Sequence, residues 1–158
     1  MMPTSRSTHS VTTRYDEIVA RLARMGDIRA LSLPALHLVM TLRLCDLLER
    51  AGRDPLTELA TRFQSVAAAR AALHFADTVE RVWPSRYDPA RPCSLGMTPD
   101  EATLAAVVRA ALACDRAACT RALQGFVRAD RHAALYDAAV HAVATLQQPR
   151  SQNWRGAH

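Results

Sequence analysis

Four cysteines and six histidines are the side chains of this sequence suited to metal binding, redox exchange or proton transfer. Their spacing decides which of these is open. A zinc site shows cysteine pairs two to four residues apart, followed by a second pair. Cys45, Cys93, Cys114 and Cys119 contain no such arrangement. Cys114 and Cys119 stand five positions apart, roughly 140° around a common helix axis. If Asp115 opens a new helix, Cys114 falls in the bend and can approach Cys119 or Cys93. The ordinary alternative is a set of small buried hydrophobes. Cys93, beside Pro92, is the candidate reactive thiol, although no basic cluster is aimed at it.

His74, Asp77 and Arg81 share one helical face, where a histidine and a carboxylate could bind a metal or orient an imidazole. The same spacing also makes a surface ion pair of little energetic effect. His132 and His141, nine residues apart, project from opposite sides of a helix and do not chelate together. His37 lies in an apolar stretch and reads as a core-edge histidine with one hydrogen-bond partner. The five glycines form no phosphate-binding loop, and no nucleophile elbow or paired-histidine zinc helix is present. No catalytic residue, cofactor-binding residue or metal ligand is therefore assigned. An enzyme, a cofactor and a small-molecule substrate are all unexpected.

The elements that must position these residues read as helices. Only 5% of the 158 residues are aromatic and β-branched runs are missing, so alanine-lined helices must supply the core. The expected fold is all-α, a compact bundle or orthogonal array of six to seven short helices. Residues 1–12 read as a disordered polar tail without the apolar stretch of a secretory signal. A single helical domain is expected over 13–148, and 149–158 reads as a polar tail. A first helix from Thr13 would carry Ile18, Val19, Leu22 and Met25 on one face and stop at Gly26.

Ser32 and Pro34 open a second, central helix with Leu36, Val39, Met40, Leu44 and Leu47 in its buried stripe. Leu38, Leu42 and Leu48 widen that stripe, and Gly52 ends it. Asp54-Pro55 restarts the chain, with Leu56, Leu59, Ala60 and Phe63 inward. Ser65 either opens a separate helix or lies within one kinked helix reaching Val82, whose later stripe is Val66, Ala69, Leu73, Ala76 and Val79 or Val82. The sharpest local signal is Thr98-Pro99-Asp100-Glu101, a capping box with proline at the first helical position. Asp115 and Asp130 resemble two further N-caps, leading helices that bury Cys119, Leu123 and Phe126, then Leu135, Ala139 and Val143. Between the two helical blocks runs a proline-rich connector, 83–98, containing Pro84, Pro89 and Pro92.

Net charge is +5 and lysine is absent, which a GC-rich coding sequence explains. The charge permits an acidic partner or nucleic acid without demonstrating either. Residues 56–73 resemble a helix-turn-helix, making Arg62 and Arg70 the candidate nucleic-acid contacts. Gln64 stands where that turn favours glycine, Arg70 where it favours an apolar residue, and the second helix offers mostly alanine to a groove.

Leu42-Arg43-Leu44 through Ala51-Gly52, Leu59 to Phe63, and Arg91-Pro92-Cys93 followed by Met97-Thr98-Pro99-Asp100-Glu101 resemble an uncharacterised family of small all-helical proteins of GC-rich bacteria. The resemblance spans residues 35–146 and implies an all-helical fold without implying an activity. Its members carry a denser cysteine cluster where this chain has Cys93 alone.

The expected function is a cytoplasmic, non-enzymatic helical module acting through a protein partner or through self-association as a homodimer. Trp83, Tyr87 and Trp154 are the candidate partner contacts. A helix-turn-helix DNA-binding regulator is the first alternative and a thiol or metal sensor the second. No window is apolar enough to span a membrane.

Overall fold

The computed structural model of the protein describes residues 26–148. The expected first helix, both tails and Trp154 lie outside the described residues. Six α-helices follow in order: α1 (Leu33–Arg50), α2 (Pro55–Phe63), α3 (Val66–Val82), α4 (Pro99–Leu112), α5 (Arg116–Leu123) and α6 (His132–Leu146). Short 3-10 turns at Ile28–Ala30 and Ala129–Arg131 precede α1 and α6. Among the described residues, β pairing is confined to one antiparallel bridge between Asp27 and Gly96.

Local chemistry sets the boundaries. The Asp54 carboxylate accepts from the Leu56 amide, with Pro55 opening α2. Thr98 and Glu101 complete the capping box of α4, each side chain accepting from the other residue's backbone amide. Residues 55–82 form two helices because Gln64 enters the left-handed region at φ 52°. Cys114, also at φ 52°, ends α4 in the same way. In both turns the next residue caps the new helix: Ser65 accepts from the Ala68 amide at 3.1 Å, and Asp115 from the Ala118 amide at 2.8 Å.

The core runs through all six helices, from Ala35 to Val143. Alanine lets helices approach closely, and α3 and α6 make the most extensive contact, with Ala69, Ala72, Ala139 and Ala142 buried. Phe75 and Leu135 fill the space these small residues leave. The central helix α1 packs on α2, α3 and α4, which ties the two helical blocks together.

Three side chains expected in the core lie outside it: Leu47, Val66 and Phe126 are exposed. Leu47 faces away from the three helices that cover α1. Phe126 lies against the buried Trp83 ring at 5.0 Å, covering it from outside. Asp130 does not cap α6. It pairs with Arg128 at 3.1 Å, and the 3-10 turn at Ala129–Arg131 leads the chain into the helix. Just beyond it, buried His132 donates from Nε2 to the Val127 carbonyl at 2.8 Å.

Candidate functional site

Arg43 lies in the middle of α1, flanked by Leu42 and Leu44, and its side chain has no exposure to solvent. Such a charge is tolerated only when every donor is used and an opposite charge is at hand. Both conditions hold. Nε donates to Glu101 Oε1 at 2.7 Å and Nη2 to Oε2 at 2.8 Å. Nη1 donates to the carbonyls of Ser94 at 2.6 Å and Arg91 at 3.3 Å, and Nη2 to that of Gly96 at 2.9 Å. All five guanidinium hydrogens are thereby occupied. Glu101 is equally saturated, accepting also from the amides of Ala90 at 3.1 Å and Thr98 at 2.9 Å.

This network fastens the proline-rich connector to the helices. Within the connector, Ser94 donates to two of these carbonyls, from its amide to Arg91 at 2.9 Å and from its hydroxyl to Gly96 at 3.2 Å, and Arg43 supplies the remaining donors from α1. Its earlier half is held by aromatic packing: Trp83 is buried, with Tyr87 edge-on at 6.0 Å and Phe126 on another side. Trp83 Nε1 and the Tyr87 hydroxyl are buried without a hydrogen-bond partner among the described residues. Burial, followed by the charges of Glu101 and Asp100, pushes the Tyr87 phenol far above its ordinary range.

Held in this way, Arg86, Tyr87 and Pro89 wall one side of a cleft of about 290 Å3. Its other walls are helical and, apart from Pro55 at the start of α2, follow one pattern. From α1 come Leu42, Cys45, Asp46 and Glu49; from α3 come Leu73, Ala76, Asp77 and Glu80. Each set occupies positions i, i+3, i+4 and i+7, one face of a helix. The pattern Leu-x-x-small-Asp-x-x-Glu therefore occurs twice, and packing brings the copies together around one cavity. Leucine with cysteine or alanine supplies the apolar lining, and four carboxylates the polar one.

The electrostatics of the cleft are one-sided. Arg86 is its single basic lining residue, 3.7 Å from Asp46 and largely in solvent. Asp46 also pairs with Arg50 at 3.0 Å. Glu49, Asp77 and Glu80 join no salt bridge among the described residues. Partial burial, then the charges of Glu49 and Asp77, raise the Glu80 carboxyl above its ordinary value. Burial, with Glu49, Asp77 and Glu80 adding to it, pushes the Cys45 thiol up to about 12. Cys45 is thus a protonated lining group and a poor nucleophile.

The residues singled out from sequence are dispersed. Arg62 is exposed and pairs with Glu58 at 2.9 Å, whereas Arg70 is exposed on α3. Cys93 and Cys114 are exposed, Cys45 and Cys119 buried, and all four are free. His74 and Asp77 make no ion pair: Asp77 lines the cleft, and His74 meets His141 of α6 edge-on at 6.5 Å. His37 packs against Phe63, its ring centroid 5.2 Å away. Of the three candidate partner contacts, Tyr87 lines the cleft and Trp83 lies beneath the surface.

Neither the Arg43–Glu101 pair nor the doubled acidic stripe is anticipated by reading each residue alone. A signal existed for both: an arginine within an apolar helix, and one spacing used twice. Among the described residues, no group of three or more His, Cys, Asp or Glu side chains could hold a metal ion. No helix there is long and apolar enough to cross a membrane. No family model, curated protein or solved structure matches the chain.

Proposed function

We propose that this chain is a non-enzymatic helical interaction module that binds a protein partner, a second copy of itself included, through the cleft between α1, α3 and the connector. The cleft carries this reading. Its lining has carboxylates and apolar side chains but no nucleophile paired with a base, a composition suited to holding a ligand rather than transforming one. Free cysteines suit the reducing conditions of a cytoplasm.

A photo-reactive benzophenone residue in place of Arg86 tests the proposal in cells. A discrete adduct, either to another protein or to a second copy, is expected at position 86 and not at the remote position Thr120. Absence of any adduct at 86, together with monomeric mass by light scattering, would overturn it.

Duplex DNA is the second reading, favoured by the α2–Gln64–α3 turn with Arg62 and Arg70 exposed around it. Asp77 and Glu80 on α3 repel phosphate, which puts this reading behind the first. Its test is retention on duplex DNA at low salt, lost on Arg62→Ala and Arg70→Ala.

A further inference from the structure

Resting on the interaction reading, we infer that the cleft receives an arginine side chain from a basic segment of the partner protein. The doubled stripe sets the chemistry. Two helices each bring an aspartate and a glutamate to one cavity, and three of these four carboxylates lack a salt-bridge partner among the described residues. The protein as a whole carries +5, so this face opposes its overall charge. A cationic ligand is complementary to the face, and an anionic one is repelled from it.

The shape narrows the cation. Among the described residues these carboxylates are not grouped as metal ligands, so a bare metal ion does not fit. A cavity of about 290 Å3 lies between them, with Leu42, Leu73 and Ala76 in its lining. Guanidinium presents five donors in a planar fork, can engage several carboxylates together, and is weakly hydrated. Its methylene stem packs on apolar side chains while the head reaches acidic groups. The compact, strongly hydrated head of lysine exploits the apolar lining less well. The raised Glu80 carboxyl fits a cluster that a further positive charge would relieve.

The test uses the full chain with labelled methyl groups and three probes: N-acetyl-arginine methylamide, its citrulline counterpart and spermidine. Saturable shifts at Leu42, Leu73 and Ala76 are expected with the arginine probe and not with citrulline, which keeps the shape but loses the charge. Glu49→Gln with Glu80→Gln should weaken the arginine probe at least tenfold and leave the melting temperature unchanged or higher, since like charges are removed. Equal response to citrulline, unaltered affinity in the double variant, or no saturation at low salt would overturn the inference. So would tighter binding of spermidine at the same methyls, which would assign the cleft to a free polycation. Sequencing the adduct formed from position 86 separates the two levels. A partner segment without arginine sinks this inference and leaves the interaction reading standing. Binding of the arginine probe with no protein adduct sinks the interaction reading and, with it, the partner assigned here.

Discussion

The guanidinium of Arg43 and the carboxylate of Glu101 meet as a two-bonded pair, 2.7 and 2.8 Å apart, with neither side chain exposed. The two residues are 58 positions apart, so their pairing closes the chain around the connector. The pair joins α1, the N-terminus of α4 and three connector carbonyls at one point. Through the Ala90 amide, Glu101 also holds the chain next to Pro89 of the cleft wall.

Removing one partner should therefore cost more than any surface change. Arg43→Met leaves the buried Glu101 carboxylate without its counter-charge and removes the arginine donor from the Ser94 carbonyl, an expected loss of about 3–5 kcal/mol. Arg43→Lys retains the charge but has three donors for this five-bond site, so it too should destabilise. Urea denaturation checks both. A change below about 1 kcal/mol for Arg43→Met would contradict this account of the buried pair.

Thiol reactivity should divide the cysteines in two. Cys93 and Cys114 are exposed, whereas Cys45 and Cys119 are buried with burial raising both thiols. An aromatic disulfide reagent at pH 8 should consume two thiols quickly and the other two only as the chain opens. Peptide mapping identifies the fast pair. Early labelling of Cys45 would contradict the burial described here.

Alkaline stability follows from Cys45 and Tyr87. Between its ordinary value of 9.0 and about 12, the Cys45 thiol ionises in the unfolded chain but keeps its proton in the fold. The unfolded state then binds fewer protons, so stability falls as pH rises through that window. The limiting slope for one such group is about 1.4 kcal/mol per pH unit. Tyr87 acts with the same sign from its ordinary value of 10.0 upward. Melting curves from pH 8 to 11 should decline less steeply for Cys45→Ala and for Tyr87→Phe, and least for the two together.

The left-handed turns offer a gain in stability. Gln64 and Cys114, both at φ 52°, hold a conformation that costs a residue with a Cβ about 1–2 kcal/mol. Glycine removes that cost and adds about 0.5–1 kcal/mol of unfolded-state entropy. Gln64→Gly and Cys114→Gly should each raise stability by about 0.5 kcal/mol, readable in the denaturation midpoint. A fall in both midpoints would show that the native side chains make compensating contacts.

Helix limits were legible because caps act over three or four residues. Thr98 with Glu101, Asp54 with Pro55, and Asp115 can each be read without knowing where the rest of the chain lies. The same reading overreached at Asp130, where a neighbouring arginine and a 3-10 turn compete for the carboxylate. It overreached again at Phe126 and Leu47, since helical spacing marks an apolar face without saying how far neighbouring helices cover it.

By itself, then, the sequence determined an all-helical chain, the capped starts at Asp54, Thr98 and Asp115, and an alanine-lined core. Tertiary structure alone decided that Arg43 finds Glu101, that His74 meets His141 instead of Asp77, and that two acidic stripes face one another across a cavity. The physical reason is range. A capping bond closes within one turn of backbone, whereas these meetings depend on the path of the connector and on which helix faces the core buries.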